Sequence, residues 1–373
     1  MIFDAVVIGA GPAGIYLART IAANGGKVAL VDRSVFPRDK LCGGFLTDKT
    51  IKLLEVTFPD LVLSGVGIRS VHVFYKEELS ASLNILSRAK VMRRYTLDTA
   101  LLVDSKKHGA NLYLGSPIQT IDFKKNEAVL KSGRILKYKH LIGADGALSF
   151  VRKQMGLPCN QLGFCVETHI PWETIKKTSY LRGGGAEIYY GNMPVGYGWV
   201  FPCLDSVAVG VGNMSTGENE RETVAAFHSF MDKIAYPSGI KTRAAYIPSG
   251  KSITLGTSRH ENAYLIGDAA GLIDPFTGEG IYYALLSAKN LGEAILSSES
   301  TYSEYQQRME TTVATINDSC RIRDELYTPS ILNNAISSMQ GLPQYGEKLV
   351  DQAIVRYSKS YRDAYEEFKT YAR

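Results

Sequence analysis

The chain has 373 residues, of which 45% are hydrophobic and 21% charged, and its formal net charge is +5. This balance is typical of a globular protein and excludes a disordered chain, a collagen-like chain and a coiled coil. The length predicts two domains, or one large domain that carries an insertion. No run approaches the roughly 20 uncharged apolar residues that span a membrane, and no basic region precedes the apolar start, so we predict a cytoplasmic protein.

Lysine and arginine are scattered along the chain rather than gathered in a basic stripe, so we expect no nucleic-acid partner. The positive charge leaves open a peripheral contact with an anionic membrane surface. The five cysteines include no C-x-x-C pair, and the six histidines show no metal-ligand spacing. We therefore expect neither a disulfide framework nor a metal site.

The first predicted element is a buried parallel strand over residues 3–8, which ends in a G-x-G-x-x-G motif. A helical pattern follows, and a second apolar strand then ends on an acidic residue. This order of strand, glycine turn, helix, strand and acid predicts a Rossmann-type dinucleotide site. The motif consists of Gly9, Ala10, Gly11, Pro12, Ala13 and Gly14, and the acid is Asp32, which Arg33 follows.

The residue types in this motif have physical reasons. Gly9 permits the tight turn, Gly11 lets a pyrophosphate approach the backbone, and Gly14 lets the helix pack closely on the strand. The helix N-terminus supplies unpaired N–H groups and a partial positive charge to the phosphates. Asp32 can accept hydrogen bonds from the ribose hydroxyls, and its charge disfavours the 2′-phosphate of NADP.

Three later segments add to this pattern. An R-x-x-L-D sequence opens a predicted helix, and a mid-chain strand ends in a Gly-Ala-Asp-Gly turn. A late apolar strand ends in Gly-Asp-Ala-Ala, and a loop then leads into a helix that we predict from about residue 280 to 297. The residues that these segments single out are Arg94, Asp145, Gly267, Asp268, Pro275, Gly278, Gly280 and Ile281.

The glycine motif, the Asp-Gly turn and the late segment together resemble the para-hydroxybenzoate-hydroxylase-like class of FAD-dependent oxidoreductases. The resemblance implies that FAD is the cofactor and that Asp268 contacts its ribityl and pyrophosphate region. It also implies that the backbone at Gly278 and Gly280 faces the flavin ring, where the helix N-terminus points its positive end at the N1–C2=O edge. Arg94 would lie near FAD, although a surface arginine paired with Asp98 is the alternative.

Two further stretches narrow the resemblance. Cys42 is followed by two glycines, and residues 197–202 read Y-x-W-x-F-P. Both resemble the geranylgeranyl reductase family, whose members reduce double bonds in isoprenoid chains. The resemblance implies an FAD-dependent reductase of carbon–carbon double bonds in an isoprenoid or similar apolar substrate, with the hydride coming from reduced flavin N5. It implies Cys42, Tyr197 and Trp199 as candidate catalytic residues at the substrate cavity.

The same resemblance predicts the cofactor-binding set. Its members are Gly9, Gly11, Pro12, Ala13, Gly14, Asp32, Arg33, Cys42, Gly43, Gly44, Arg94, Asp145, Gly267, Asp268, Pro275, Gly278, Gly280 and Ile281.

Without the resemblance, the residues leave two interpretations open both for Cys42 and for the aromatic residues of 197–202. Tyr197, Trp199 and Phe201 alternate along a strand and share one face, which either walls an apolar cavity or packs as sheet core. Cys42 is either a thiol at the site or a small buried hydrophobe. The two glycines after it indicate that the backbone approaches another group closely, and we predict that this group is the flavin.

We predict an α/β fold in which a doubly wound FAD-binding domain with a parallel sheet carries an inserted α+β substrate domain on an antiparallel sheet. A helical tail follows at the C-terminus. The predicted ranges are 1–65, 88–158 and 255–300 for the FAD-binding domain, 66–87 and 159–254 for the substrate domain, and 301–373 for the tail.

No second G-x-G-x-x-G motif lies between a predicted strand and helix, so we predict no dedicated NAD(P)H domain. Electrons would then come from a separate donor: transiently bound NAD(P)H, a ferredoxin or a reductase. Two other functions stay open. An FAD-dependent monooxygenase would insert oxygen into an apolar substrate, and a noncatalytic electron-transfer flavoprotein would present an exposed flavin edge.

Overall fold

The computed structural model describes residues 1–175, 179–215, 220–234, 240–341, 343–355, 362–364 and 366–367. The strands are β1 (Ile2–Ile8), β2 (Val28–Val31), β3 (Phe45–Leu46), β4 (Val66–Gly67), β5 (Ser70–Tyr75), β6 (Glu78–Asn84), β7 (Lys90–Val91), β8 (Asn111–Tyr113), β9 (Ile118–Asp122), β10 (Glu127–Leu130), β11 (Ile135–Gly143), β12 (Leu162–Pro171), β13 (Gly185–Tyr190), β14 (Gly196–Pro202), β15 (Ser206–Asn213), β16 (Arg243–Pro248) and β17 (Ala263–Leu265).

The helices follow the same numbering by chain order. They are α1 (Pro12–Ala23), α2 (Asp48–Thr57), α3 (Arg94–Lys107), α4 (Phe150–Gln154), α5 (Ser179–Arg182), α6 (Glu220–Lys233), α7 (Ile281–Ser297), α8 (Thr301–Leu326), α9 (Pro329–Gly341) and α10 (Pro343–Leu349), and a π-helical segment continues over Val350–Val355. None of the helices in the described ranges is long and apolar enough to cross a bilayer.

The first sheet has the order β8–β2–β1–β11–β10–β9, and β17 pairs with β11. Strands β8, β2, β1, β11 and β17 run parallel, whereas β10 and β9 are antiparallel additions. Strand β2 is buried along its whole length, as expected for a parallel strand covered on both faces. Helix α1 packs against α3 and α7. The carboxyl ends of the parallel strands therefore share one edge, where nucleotide ligands bind in sheets of this kind.

The second sheet has the order β16–β12–β15–β14–β13–β5–β6. All of its neighbours are antiparallel except β13 and β5, which run parallel. One face packs against α6 through a core that includes Val166, Val209, Phe227 and Phe230. The opposite face carries Cys165, Trp199 and Phe201 and turns toward the first sheet, because the glycine loop after Cys42 contacts its aromatic rings.

The C-terminal helices bind to both sheets. On α8, the Tyr305 hydroxyl donates to the Leu265 carbonyl of β17 at 3.0 Å, and the Arg323 guanidinium donates to the Ser249 carbonyl at 3.1 Å. Helices α9 and α10 pack on β6. The predicted helical tail is therefore observed over the described part of 301–373, and the prediction for 342, 356–361, 365 and 368–373 lies outside the described residues.

The predicted fold class is confirmed, with two local departures. The first sheet is parallel only in its central part, since β9 and β10 extend it in antiparallel fashion. The second sheet contains one parallel pair, because the chain returns to β13 alongside β5 after a long connection instead of a hairpin. The predicted domain boundaries stay a prediction.

Candidate active site

A large cavity of about 1080 Å³ lies between the carboxyl edge of the first sheet and the aromatic face of the second. Most of the residues predicted for the site line this cavity. They are Gly9, Gly11, Pro12, Ala13, Asp32, Arg33, Cys42, Gly43, Gly44, Arg94, Asp145, Tyr197, Trp199, Asp268, Gly278, Gly280 and Ile281. Gly14, Gly267 and Pro275 are not among the residues that line the cavity, and their predicted cofactor contact stays a prediction.

The glycine motif builds the cavity wall at the end of β1. Gly9 has a φ of +109°, and a Cβ there would lie 2.2 Å from the Ala144 carbonyl oxygen. A Cβ on Gly14 would lie 1.9 Å from the Gly9 carbonyl oxygen, which explains the close helix–strand packing. Gly11 is open by contrast, because the nearest atom to its added Cβ is Arg94 Nη2 at 3.9 Å.

This arrangement fits a dinucleotide pyrophosphate. Helix α1 begins at Pro12, and its N-cap Gly11 supplies no side-chain cap. The first N–H groups of α1 therefore remain free to bind an anion, and the helix dipole adds a partial positive charge there. The bare backbone at Gly11 gives that anion room. We infer that a pyrophosphate fits here because no side chain caps α1 and no atom crowds the backbone at Gly11.

Asp32 is fixed at the end of β2. Its Oδ2 accepts from the Ala10 amide at 2.7 Å and its Oδ1 accepts from the Ser34 amide at 2.7 Å. A carboxylate oxygen has more than one lone pair, so the side chain can hold this loop and still accept a hydrogen bond from the cavity. The predicted contact with ribose hydroxyls therefore remains open to Asp32.

Arg94 is paired with Asp98, as one of the two alternatives predicted, but it does not lie at the surface. It is buried, with 8% of its surface exposed, and its guanidinium makes two hydrogen bonds of 2.7 Å to the Asp98 carboxylate. Burial alone would lower the pKa of Arg94, but the Asp98 charge outweighs it and the pKa is raised. Arg94 is thus a fixed cation in the cavity wall and not a surface arginine.

Sequence analysis missed Arg38, a second cation of this wall. Its Nη1 lies 3.3 Å from Asp98 Oδ2, and its Nη2 donates to the Ala10 carbonyl at 3.3 Å. The residue lines the cavity and connects the glycine motif to the Arg94–Asp98 pair. No spacing in the sequence indicates this contact, because Arg38 lies in an irregular loop.

Asp145 is committed to its own turn. Its carboxylate accepts from the Ser149 hydroxyl at 2.5 Å and from the amides of Phe150 and Val151 at 2.7 and 3.1 Å. Burial raises the pKa of Asp145, and these three hydrogen bonds oppose that shift. The side chain therefore stabilises the start of α4, and the cofactor contact predicted for Asp145 falls to its backbone or to the remaining lone pairs.

The loop before α7 is held from inside and from across the cavity. Asp274 Oδ1 accepts from the amides of Phe276 and Thr277 at 2.8 and 2.9 Å, and the Tyr197 hydroxyl of β14 donates to the Thr277 carbonyl. Helix α7 begins at Ile281 without a side-chain cap, so the positive end of its dipole is presented to an anionic or carbonyl acceptor.

Glu279 is a further lining residue that the sequence analysis missed. Its Oε1 accepts from the Thr47 hydroxyl at 2.6 Å, and its Oε2 lies 2.7 Å from Lys49 Nζ. Both partners belong to the start of α2, so this buried cluster ties the loop before α7 to the first half of the chain. The sequence could have indicated Glu279, because this residue lies between the predicted site residues Gly278 and Gly280.

The aromatic residues of β14 form one wall of the cavity. Tyr197, Trp199 and Phe201 share a face and line the cavity, while Trp199 and Phe201 keep only 7% exposure each. They therefore serve as cavity wall and as packed core together. The glycine after Cys42 is required by this wall, since a Cβ on Gly43 would lie 2.9 Å from the Phe201 ring. Gly43 therefore lies close to the Phe201 ring, and the approach of this backbone to the flavin stays a prediction.

Cys42 lines the cavity beside Arg94. Burial raises the pKa of its thiol, the Arg94 guanidinium lowers it, and the charge of Glu167 raises it further. The thiol is therefore protonated near neutral pH and is not an activated nucleophile. Glu167, on β12, was missed by the sequence analysis; its Oε1 accepts from the Cys42 amide at 3.2 Å.

The cavity extends past the aromatic wall into a second region, which we name the apolar arm. It is lined by aliphatic side chains of the second sheet and of the C-terminal helices, including Val71, Leu83, Ile188, Leu332, Ile336 and Ile354. The sequence analysis did not place the tail in the site, because no motif marks these helical positions.

Comparison with known proteins fits this geometry. The FAD binding domain family matches residues 3–305. Menaquinone reductase of Mycolicibacterium smegmatis is 28% identical over 79% of this chain and 76% of its own length. The chloroplastic geranylgeranyl diphosphate reductase of Arabidopsis thaliana is 29% identical over 78% of this chain and 65% of its own length.

The fold is shared with a solved protein. The crystal structure of a geranylgeranyl bacteriochlorophyll reductase-like protein from Thermoplasma acidophilum superposes with a TM-score of 0.75, covers 99% of each chain and is 19% identical in sequence. These matches confirm the resemblance inferred from the motifs, and with it the FAD cofactor.

Proposed function

The chain belongs to the FAD binding domain family and is an FAD-dependent oxidoreductase, and from that premise we propose that it reduces carbon–carbon double bonds in an isoprenoid or similarly apolar substrate. The apolar arm carries the proposal. It continues from the loop before α7 and the aromatic wall into a region walled by aliphatic side chains. An elongated hydrocarbon fits such a space, because burying its apolar surface is favourable at roughly 25 cal/mol per Å².

The chain's own residues hold the cofactor and substrate. The uncapped start of α1, with Gly11 and the fixed carboxylate of Asp32, would hold the pyrophosphate and ribose of FAD. The uncapped start of α7 would face the flavin ring. When bound and reduced, FAD supplies a hydride from its N5 atom. Tyr197 and Trp199 would place the substrate against that ring and exclude water from it.

The reduction also needs a proton for the second carbon. Tyr197 donates its hydroxyl proton to the Thr277 carbonyl, and burial raises its pKa well above 10. We therefore assign Tyr197 to the structure of the wall and not to proton transfer. The proton would come from the protonated thiol of Cys42, which lines the cavity, or from water. The electron donor belongs to the proposal as a separate molecule, either NAD(P)H, a ferredoxin or a reductase.

The test uses the holoprotein under anaerobic conditions. The flavin is reduced chemically, and geranylgeranyl diphosphate is added while the flavin absorbance is recorded. We expect reoxidation of the flavin without oxygen, and a product heavier by two hydrogens for each bond reduced. The contrary result is a reduced flavin that is not reoxidised by the prenyl substrate but is reoxidised in air, with oxygen incorporated into an added apolar compound. That result would show a monooxygenase and overturn the proposal.

A further inference from the structure

Glu167 is a buried carboxylate that the mechanism so far does not use. It keeps 3% of its surface exposed and lies on β12, which is next to the edge strand β16 in the second sheet. Along this strand Cys165, Glu167 and His169 alternate onto one face, and Cys165 lines the cavity. Glu167 therefore lies on the face of the sheet that borders the cavity, next to the lining residues Cys42 and Trp199.

The two oxygens of Glu167 bind two different walls. Oε1 accepts from the Cys42 amide at 3.2 Å, and Oε2 accepts from Trp199 Nε1 at 3.0 Å. Cys42 belongs to the loop that leaves the first sheet, whereas Trp199 belongs to the aromatic wall of the second. A buried charge is costly unless it is hydrogen-bonded, and here the bonds that satisfy it connect the two halves of the cavity.

We propose that Glu167 is a positioning residue that fixes the Cys42 loop against the Trp199 ring, so that the two walls between which the substrate lies keep one relative position. That the fixed walls matter for double-bond reduction rests on the proposed function. The pair of hydrogen bonds from Cys42 and Trp199 to Glu167, which we call the Glu167 clamp, does not depend on that function.

A neighbouring glutamate shows what a merely structural carboxylate looks like in this sheet. Glu187 is also buried, with 8% of its surface exposed. Its Oε2 accepts from the Tyr189 hydroxyl at 2.7 Å, two residues away on the same strand. Glu187 does not line the cavity and does not contact the loop of Cys42, so it is the matched control for Glu167.

The charged groups around the clamp define its electrostatic readout. Arg94 of α3 and Glu167 act on the pKa of the Cys42 thiol with opposite sign: the Arg94 guanidinium lowers it and the Glu167 carboxylate raises it. Lys40 lines the cavity in the same loop, Arg243 is in register with Glu167 on β16, and His169 Nε2 lies 3.5 Å from Glu167 Oε1. Among these, Glu167 is the group that holds the pKa of the Cys42 thiol up by its negative charge.

The experiment compares E167Q and E187Q as FAD-loaded proteins. Cys42 is alkylated with iodoacetamide from pH 6 to 10, and its rate is read from the Cys42 peptide by mass spectrometry. Because E167Q removes a nearby negative charge, we expect the apparent pKa of the thiol to fall, so that alkylation below the midpoint becomes several-fold faster than in the wild type. E187Q should follow the wild type. An unshifted profile in E167Q, or an equal shift in E187Q, overturns the proposal.

A second measurement tests the two hydrogen bonds of Glu167 without removing its charge. E167D keeps the carboxylate but is one methylene shorter, so it cannot reach both donors. We expect the Cys42 amide to exchange hydrogen for deuterium at least tenfold faster in E167D than in the wild type. Exchange at the wild-type rate overturns the proposal even if E167Q fails to fold. Neither measurement uses a substrate, so failure of the clamp and failure of the reductase assignment give different results.

Discussion

The two ends of the cavity, the nucleotide end and the apolar arm, are lined by different kinds of groups. At the nucleotide end the contacts come from backbone, where the turn at Gly9 and the uncapped start of α1 present N–H groups. At the apolar arm they come from side chains of strands and helices far apart in the sequence, such as Val71, Ile188 and Ile336. A backbone site requires particular residues at fixed spacing, whereas an apolar wall only requires bulk.

The largest effect should follow from breaking the nucleotide end. Gly9→Ala would place a Cβ 2.2 Å from the Ala144 carbonyl oxygen, at a φ of +109°. The overlap is with backbone and cannot relax by rotating a side chain, so we expect loss of FAD and destabilisation by at least about 3 kcal/mol. FAD content per chain and the midpoint of urea unfolding measure both.

A second glycine separates the overlap from the backbone conformation. Gly25 also has a positive φ, +80°, but its added Cβ meets no atom within 4 Å. Gly25→Ala should therefore cost about 1 kcal/mol and leave FAD bound. Equal loss of FAD in both variants would show that conformation, and not the approach to Ala144, is what the site requires.

The same contrast explains what could be predicted from the sequence. Gly9, Gly14 and the helix after Gly280 were found because each position has a steric or electrostatic reason that acts within a few residues. Phe201 shows the limit, since the alternation of its strand left open whether its ring forms core or cavity wall, and the structure shows that it does both.

The residues that were missed make their contacts over long distances in the chain. Glu167 reaches Cys42, and Glu279 reaches Thr47 and Lys49. Each is a lone carboxylate in its own segment, and its meaning depends on which strand or helix packs opposite. Tertiary packing decides this, so no local pattern could have revealed it.

A smaller and more selective effect is expected at the apolar arm. Leu332 lines the arm from α9, and Leu332→Trp would fill part of it. The added ring leaves less room for the substrate's hydrocarbon chain and does not change the residues near the flavin. We therefore expect kcat/KM to fall about 10- to 100-fold for a long prenyl substrate and much less for a short one. FAD content should not change. Steady-state rates with two chain lengths measure this.

The control adds the same bulk at an exposed position of the same helix. Asn333 is the next residue and is exposed, so Asn333→Trp should leave both rates near the wild type. If both tryptophan variants lose activity alike, or if long and short substrates suffer equally, the arm does not hold the substrate chain and the comparison between the two ends fails.

The smallest effect is a pair of opposite pH dependences, one in each sheet. The pKa of Asp4, in the first sheet, is lowered, first by its hydrogen bond with Lys139 and then by the Lys27 amide. Its stabilisation is therefore present above its ordinary value of 3.8 and is lost as the pH falls through the lowered pKa. The pKa of Glu187, in the second sheet, is raised by burial against its bond with Tyr189. Its contribution is present below 4.5 and is lost as the pH rises through the raised pKa.

Asp4→Asn and Glu187→Gln should therefore change the pH profile of the unfolding free energy with opposite signs. Glu187→Gln keeps an acceptor for Tyr189, so its unfolding free energy relative to the wild type should rise by about 1 kcal/mol between pH 4 and 7. Asp4→Asn should lose about 0.5 kcal/mol relative to the wild type between pH 3 and 5, because its partly exposed ion pair is screened. Urea unfolding at four pH values suffices. If the unfolding free energies of the two variants change with pH in the same direction, burial and not the particular partners sets the pKa of both carboxylates. The reason is that burial raises the pKa of a carboxylate, so the pKa of Asp4 can be lowered only by its partners.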